Sequence, residues 1–323
     1  MCTAFSCVAA DHYFGRNLDL DYHYNEAVTI TPRNYRFRFC HEHQSDNQYA
    51  MIGIATIING YPLYYEGINE KGLCIAGLNF PGNAVYHPLD PQKTNIASFE
   101  LIPWLLRQCE TVTQAREKLE KINICDTAFR EDMPPTPLHW IVSDAECSIT
   151  VEPTAEGVVI YENPYSVLTN NPPFSYHADN LNNYMNLTPR QPANRFSLNL
   201  DLQPYSLGMG AMGLPGDFSS ASRFVRCAYI KENSNWGNTE EEKVSQVFHI
   251  LDGVSQFDGC IETTQGHEKT LYSICCNATK GIFYYTTYHN RQITAVDMNK
   301  EDLSSEATIA YPLISDQQIR YQN

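Results

Sequence analysis

The N-terminus carries the residues best suited to nucleophilic chemistry, because Cys2 directly follows Met1. A cysteine is small enough for the initiator methionine to be removed, which leaves a thiol and a free α-amino group on one residue. A free α-amino group has a pKa near about 7.7–8.0 and a free thiol near about 8.5, so proton exchange between them at neutral pH costs little. Cys2 is therefore a candidate nucleophile with its own base. The alternative is an ordinary edge strand that begins at position 2.

Two short segments after Met1 are expected to form a β-hairpin. Residues 2–8 and 12–17 are mostly strand-compatible, and residues 9–11 between them can turn the chain. With the turn centred near residue 10, even-numbered residues of both strands share one face. A slip of one residue would turn those side chains to the opposite face.

This register places two charged residues beside the N-terminus. Leu18 falls opposite Cys2 and Arg16 opposite Ala4, so Arg16 lies diagonally next to the Cys2 side chain. Asp19 lies just beyond the free terminus. A guanidinium near a thiol favours the thiolate, and a carboxylate near an ammonium holds it in place. The hairpin therefore predicts that Arg16 and Asp19 assist Cys2.

Three further polar residues stand where they could assist a nucleophile. Asn79 and Asn170 each follow an apolar strand, and an amide there can donate to a developing oxyanion without acting as a base. Either could instead be an ordinary turn residue. Arg223 falls in the first turns of a predicted helix, where the helix dipole disfavours a positive charge. It is expected either to have a partner elsewhere, such as a carboxylate or the thiolate, or to be exposed.

Composition limits the class of protein and the class of partner. The 323 residues carry a formal net charge of −15, which argues against nucleic acid or an anionic membrane as partner but allows an anionic small molecule. The sequence shows no charged-then-apolar leader and no apolar run of about 18 residues, so we expect a cytoplasmic protein with no membrane segment. The 11 cysteines include no C-x-x-C pair and are expected to be reduced and mostly buried.

One stretch suggests a metal site, because His41, Glu42 and His43 follow Cys40 directly. Two histidines at i and i+2 can share one face of a strand. The surrounding residues are polar, however, and we expect a loop or edge strand without metal. The chain also lacks H-E-x-x-H and any phosphate-binding glycine loop. No metal and no cofactor are therefore expected.

The remaining pattern predicts strands interrupted by pairs of helices. Strands are expected at 26–32, 50–59, 62–65, 72–78, 138–143, 147–151 and 157–161, with a final hairpin over 272–288. Helices are expected from a cap at Ser98, from Thr111 to about Lys121, over 219–232 and from Thr239 to about Leu251. Residues 182–196 have no clear period and are expected to form an extended loop. This order suggests two layers of helices around antiparallel sheets, in a single domain over residues 1–323.

Several segments together resemble the choloylglycine hydrolase family, in the family's order from residue 1 to about residue 290. They are residues 1–3, 14–19, 31–35, 69–73, 77–81, 168–172 and 213–226. That family contains conjugated bile acid hydrolases and penicillin V acylases. The resemblance implies an α+β fold, a four-layer αββα sandwich of the N-terminal-nucleophile hydrolase type. It also implies a homotetramer in which residues 181–194 resemble the family's assembly loop.

The resemblance assigns a role to each candidate residue. It implies that Cys2 is the nucleophile, exposed by removal of the initiator methionine, with Arg16 and Asp19 beside it. Asn170 matches the family's oxyanion-hole asparagine, and Arg223 matches its second active-site arginine.

Asn79 bears on the substrate. Bile salt hydrolases resemble this chain in having asparagine there, while penicillin V acylases typically have tyrosine. The implied reaction is hydrolysis of the amide bond between a bile acid and glycine or taurine, with Asn79 and the oxyanion-hole asparagine donating to the oxyanion. A steroid needs an apolar trough, and Leu20, Tyr61, Met133 and Leu138 are the candidates to line it.

Two other functions stay open. The first is a penicillin V acylase-like hydrolase of other N-acyl amides. The second is a non-catalytic thiol protein that binds a ligand or senses redox state, which a retained Met1 would favour. A papain-like enzyme is disfavoured because no cysteine lies in a C-G-[SA]-C-[WY] stretch.

Overall fold

The computed structural model describes residues 1–42, 49–264 and 266–323. Within these ranges the strands, in chain order, are β1 (Cys2–Ala9), β2 (Asp11–Leu20), β3 (Ala27–Thr31), β4 (Met51–Ile58), β5 (Tyr61–Asn69), β6 (Cys74–Asn79), β7 (Thr94–Ala97), β8 (Ile122–Cys125), β9 (Leu138–Ser143), β10 (Ser148–Thr154), β11 (Gly157–Glu162), β12 (Val167–Leu168), β13 (Lys269–Asn277), β14 (Ile282–Thr287), β15 (Thr294–Asp297) and β16 (Ile309–Pro312). The helices are α1 (Leu101–Leu106), α2 (Val112–Leu119), α3 (Phe174–Leu181), α4 (Ser220–Glu232) and α5 (Glu240–Asp252).

Two antiparallel sheets pack face to face, and helices cover both outer faces. The first sheet has the strand order β12-β1-β2-β13-β14-β15, and the second has β11-β10-β9-β6-β5-β4-β3-β16. One hydrophobic cluster fills the space between the sheets and continues to α4 and α5 behind the first sheet. Another joins the second sheet to α1 and α2. The implied four-layer αββα sandwich is confirmed, with β7 and β8 added as a short parallel pair.

The N-terminal hairpin has the predicted register. Cys2 pairs with Leu18 and Ala4 pairs with Arg16, and Ala10 turns the chain with a φ of 68°. Because β2 also pairs with β13, the hairpin lies inside the first sheet rather than at its edge. Its even-numbered side chains face the second sheet, which positions the candidate site between the two sheets.

The expected helix starts agree with the structure at three positions and differ at one. Thr111, Ser219 and Thr239 each accept a hydrogen bond from a backbone N–H of the first helical turn. Ser98 does not cap the helix; it begins a short 3₁₀ turn before α1. The capping hydrogen bond there comes from another side chain: the Glu100 carboxylate accepts the backbone N–H of Ala97 at 3.0 Å.

The expected loop at 182–196 is preceded by a helix that the sequence pattern missed. No side-chain cap precedes α3, whose N-cap is Pro173, so the usual start signal is absent. A 3₁₀ turn at Asn182–Tyr184 follows, and the described chain then has no regular element until Met209–Ala211. Several large apolar side chains in this stretch are exposed: Met185, Phe196, Leu198, Tyr205 and Leu207.

Residues 40–42 form a loop, one of the two expected conformations, and this loop packs on α1. The Glu42 carboxylate accepts hydrogen bonds from Trp104 Nε1 at 2.6 Å and from Arg107 Nη2 at 3.0 Å. His43, the other half of the suggested metal site, lies outside the described residues. In the part of the chain that the structure describes, no three potential ligand side chains are grouped to hold a metal ion. No helix in that part has the length and apolarity needed to cross a bilayer.

Candidate active site

Cys2 is the first residue of β1 and is buried. Its sulfur accepts a hydrogen bond from Arg16 Nη2 at 3.3 Å, so the diagonal neighbour expected from the hairpin does face the thiol. The Cys2 backbone N–H donates to Asn170 Oδ1 at 2.8 Å. The sulfur and the nitrogen of the candidate nucleophile are therefore each held by a separate buried side chain.

The Arg16 guanidinium is fully buried and tied to both sheets. Its Nη2 also donates to the Gly77 carbonyl at 3.0 Å, and its Nη1 forms an ion pair with Glu66 on β5. The Tyr272 hydroxyl, from β13, donates to the same carboxylate at 3.1 Å. Burial alone would lower the pKa of Arg16, but the Glu66 carboxylate and Cys2 outweigh burial and raise it. Arg16 is therefore a permanent cation beside the thiol.

Arg223 reaches the other side of Cys2 from the first turn of α4. Its Nη1 donates to the Cys2 carbonyl and, at 2.7 Å, to Thr3 Oγ1. Its Nη2 donates to Asn170 Oδ1 at 2.7 Å. Burial lowers the pKa of Arg223, and the field of Asp19 opposes that effect. Of the two expectations for Arg223, a partnered arginine is the one the structure shows, and the partners are neutral oxygens.

Asn170 connects the nucleophile to the second asparagine. While its Oδ1 accepts from Cys2 and Arg223, its Nδ2 donates to the Asn79 backbone carbonyl at 2.8 Å. Its own backbone N–H donates to Ser220 Oγ at 2.8 Å. Asn79 ends β6 and lines the same cleft as Cys2. The structure thus brings both asparagines to the cleft that contains Cys2. A side-chain amide nitrogen carries two N–H groups, so Asn170 Nδ2 has a second N–H besides the one that donates to the Asn79 carbonyl.

Two buried histidines that the sequence did not single out hold the backbone at Asn170. His139 Nε2 donates to the Thr169 carbonyl at 2.8 Å, and His177 Nε2 donates to the Asn170 carbonyl at 2.9 Å. Each ring stacks on a phenylalanine, with ring centroids 4.2 and 4.9 Å apart. Burial lowers the pKa of His177, which favours its neutral form. No local sequence signal marks these contacts, because they join separate elements.

Asp19 is buried at the site, but its carboxylate does not contact the N-terminal ammonium. Its Oδ1 accepts from Thr270 Oγ1 at 2.6 Å, and its Oδ2 has no hydrogen-bond partner among the described residues. In this structure, which includes Met1, the ammonium donates to the Asp19 backbone carbonyl at 2.8 Å and pairs with Glu268. Burial raises the pKa of Asp19, and the field of the ammonium lowers it in part. The Met1 ammonium is therefore held by the Asp19 backbone, while the expected contact of the Asp19 carboxylate with the Cys2 ammonium, after removal of Met1, stays a prediction.

An apolar cleft of about 280 Å³ opens from Cys2. Leu20, Met133 and Leu138 line it, which is where the sequence interpretation placed them. Phe99, Phe129, Pro134 and Pro135 supply more of its apolar surface. Its polar residues include Cys2, Arg16 and Asn79, so the reactive groups and the apolar walls belong to one space.

Tyr61 does not line this cleft, which corrects the fourth of the expected substrate contacts. It lies one layer behind the wall, where its ring centroid is 5.9 Å from that of Phe99 and 5.7 Å from that of Phe129. Both phenylalanines do line the cleft. Tyr61 therefore supports the wall instead of forming it.

Comparison with known proteins relates this chain to one family. Residues 2–311 match the family described as linear amide C–N hydrolases, choloylglycine hydrolase family. The chain is 51% identical over 319 residues to the bile salt hydrolase/transferase of Lactiplantibacillus plantarum, which covers 98% of each chain. It is 38% identical over 317 residues, or 96% of each chain, to the bile salt hydrolase/transferase of Clostridium perfringens.

Solved structures agree with this relationship. A mutant of the conjugated bile acid hydrolase from Clostridium perfringens matches with a TM-score of 0.92 and 36% identity, over 100% of both chains. The penicillin V acylase from Agrobacterium tumefaciens matches with a TM-score of 0.75 and 21% identity, over 95% of this chain and 89% of that one. The second likeness is one of fold alone.

Proposed function

This chain belongs to the choloylglycine hydrolase family of linear amide C–N hydrolases, and we propose that it is a conjugated bile salt hydrolase. Its substrate would be a bile acid joined through an amide bond to glycine or taurine. One observation carries the proposal: the Cys2 thiol, held by Arg16, lies at the polar end of an apolar cleft. Such a cleft suits a steroid, and the relatives named above are bile salt hydrolases by name.

The proposed reaction starts after removal of Met1, with Cys2 as nucleophile. The sulfur attacks the amide carbonyl carbon while the Cys2 α-amino group takes the thiol proton. The amino group passes that proton to the leaving nitrogen, and the C–N bond breaks. Glycine or taurine departs, and the bile acid stays joined to Cys2 as a thioester. Water then attacks the thioester, and the bile acid leaves as the thiol is restored. The Asn170 contact to the Cys2 nitrogen at 2.8 Å supports an amine held in a fixed orientation.

Charge that develops on the carbonyl oxygen needs donors close to Cys2. We assign this role to Asn79, which lines the cleft, and to the N–H of Asn170 Nδ2 that is not bonded to the Asn79 carbonyl. Loss of one such donor typically costs about 2.7–4 kcal/mol in the transition state. Asp19 and Arg223 then act on the N-terminus and on Asn170, not on the substrate.

The proposal includes a homotetramer in a reducing compartment such as the cytoplasm. The exposed apolar side chains between residues 185 and 212 support an assembly surface in this segment, because contact between subunits would remove them from water. All 11 cysteines are free, which supports a reducing environment. Sedimentation at several concentrations would test the tetramer, and a monomer at micromolar concentration would exclude it.

Two measurements test the proposed activity. Purified protein of known N-terminal mass should release taurine or glycine from taurocholate or glycocholate faster than it hydrolyses penicillin V; the reverse order would favour the acylase alternative. Cys2→Ala should abolish release, below one part in about 10³ of the parent rate, while its unfolding curve stays unchanged. A Cys2→Ala variant that still releases the amino acid would disprove the mechanism, and a parent protein that retains Met1 would favour the thiol-binding alternative.

A further inference from the structure

We propose that Glu66 is a positioning residue for the nucleophile, which acts on Cys2 through Arg16. One register shift in each sheet brings Glu66 and Tyr272 to the same guanidinium. In this arrangement Glu66 both fixes the direction of the Arg16 donors and balances the arginine charge beside the sulfur.

The contacts divide the guanidinium into two halves. Nη1 meets Glu66 and lies 3.5 Å from the Tyr272 hydroxyl, whereas Nη2 donates to Cys2 Sγ at 3.3 Å and to the Gly77 carbonyl at 3.0 Å. Because a guanidinium is planar, fixing one nitrogen fixes the direction of the N–H groups on the other. Glu66 therefore determines where the Nη2 donors point relative to the sulfur.

Both partners of Arg16 directly follow an extra residue in their strands. Between β4 and β5, Ile54 pairs with Glu66 but Ala55 pairs with Tyr64, so Tyr65 has no opposite residue. Between β2 and β13, Asp19 pairs with Thr270 but Leu18 pairs with Tyr272, which leaves Leu271 unpaired. Such bulges re-aim neighbouring side chains and are frequent next to active sites.

The backbone of β4 approaches the β5 backbone closely beside Glu66, where Gly53 pairs with Gly67. A Cβ atom at Gly53 would lie 2.0 Å from the Glu66 carbonyl oxygen, so glycine is required at that position. Gly53, a residue away from the thiol, therefore permits the close approach of the two strands at the position of Glu66.

Charge balance explains why a carboxylate is placed here. Arg16, Glu66 and Tyr272 are all fully buried, and an unpaired guanidinium in that environment would be strongly disfavoured. With Glu66 present the pair is neutral, so the sulfur meets a directed hydrogen bond with little net positive field. That arrangement suits a thiol whose proton is passed to an adjacent amine at the moment of attack.

The test is Glu66→Gln, which keeps an oxygen acceptor but removes the charge. We expect kcat to fall by about a hundredfold with KM within about threefold, because misplacement near the reacting atoms can cost on the order of 10²-fold. In the same variant, alkylation of Cys2 by iodoacetamide at pH 7 should become about three- to tenfold faster, since an uncompensated guanidinium attracts the thiolate more strongly. The Cys2 peptide is followed by mass spectrometry, because other cysteines also react.

Opposite changes in the two rates, with faster alkylation confined to Cys2, distinguish this role from a structural one. A variant that is merely destabilised would lose turnover while the buried Cys275 and Cys276 peptides also became more reactive, because partial unfolding exposes every buried thiol. That result, or an unchanged rate of turnover or of Cys2 alkylation, would overturn the proposal. Glu66→Asp keeps the charge and should recover most of kcat. Glu70→Gln is the matched control. Glu70 directly follows β5, the strand that carries Glu66, and it also pairs with an arginine, Arg33, but away from Cys2. The turnover and alkylation rates of this variant should both stay within about twofold of the parent.

The turnover part of this test rests on the proposed function, whereas the alkylation part does not. If the parent protein fails to hydrolyse taurocholate, the proposed function fails, and the alkylation rates alone still decide the role of Glu66. If the parent is active but alkylation of the Gln variant is unchanged, only the role of Glu66 is lost.

Discussion

Cys2 has a buried arginine on each side, and the two arginines are balanced differently. On the strand side, Arg16 contacts the Glu66 carboxylate directly. On the helix side, the hydrogen bonds that the described structure gives to Arg223 all end on neutral oxygens: two backbone carbonyls, a hydroxyl and an amide. Asp19 offsets the Arg223 charge through its field.

This difference separates two tasks around one nucleophile. Two opposite charges in contact can be buried together, but removal of one leaves the other isolated in a low-dielectric interior. Removal of a guanidinium that is held by neutral oxygens leaves only acceptors without donors, which is a smaller penalty. The strand side is therefore expected to control stability and thiol reactivity, and the helix side to control the geometry of Asn170 and of the N-terminus.

The largest expected effect on stability is that of Arg16→Met. This change leaves Glu66 buried with the Tyr272 hydroxyl as its remaining donor in the described structure, so the free energy of unfolding should fall by about 3–5 kcal/mol. Urea denaturation at pH 7 measures the loss. The double variant R16M/E66Q removes the isolated charge and should recover most of it; a double variant as unstable as R16M would mean that packing, not charge, sets the cost.

Arg223→Met should have a smaller effect on stability and a clear effect on turnover. We expect a loss of about 1–3 kcal/mol in the free energy of unfolding, because the unpaired groups are neutral acceptors. Turnover should fall because Asn170 Oδ1 loses its Arg223 donor. Arg226→Met, one turn along the same helix with bonds to loop carbonyls, is the control and should leave kcat within about twofold. Equal losses of stability for R223M and R16M would end the distinction between the two sides.

The smallest effect, and the one that depends on pH, is expected for Asp19→Asn. Burial raises the pKa of Asp19 above its ordinary value of 3.8, so the folded state binds a proton more readily than the unfolded state. Its contribution to stability is then fully present below pH 3.8 and is lost as pH rises through the folded pKa. The stability of D19N relative to the parent should therefore increase from acid pH to pH 8. A flat or falling difference in urea midpoints would show that the carboxylate is not destabilised by burial.

The two sides also differ in how far the sequence predicts them. The hairpin register, and with it the place of Arg16, follows from a local turn and the alternation of strand residues. Local patterns do not predict that Glu66 and Tyr272 contact Arg16, because these residues lie 50 and 256 residues from it along the chain. Glu66 and Tyr272 reach Arg16 because of two register shifts and because of how the two sheets face each other. The alternation of apolar and polar residues along a strand predicts neither of these features.

On the helix side, local patterns left the decision open. From the local patterns, Asn79 and Asn170 are also compatible with turn residues and Arg223 with an exposed residue, and it is the resemblance to a family that gives them roles. The prediction of the four apolar contacts rests only on their expected place in loops near the site. Three of the four line the cleft. Tyr61, at the start of β5, lies behind Phe99, which belongs to the 3₁₀ turn before α1, and the sequence does not show that this turn covers Tyr61.

The initiator methionine is itself part of the folded structure. Its ammonium pairs with Glu268 and donates to the Asp19 carbonyl, and its own carbonyl accepts the Asp19 N–H at 2.9 Å. Glu268 is synthesised about 250 residues after the hairpin that it helps to close over Met1. For the proposed nucleophile to be freed, these contacts have to be broken, or not yet formed, when the methionine is cut. Protein that kept Met1 would be folded, with the α-amino group that the proposed mechanism needs still bound in the peptide bond between Met1 and Cys2.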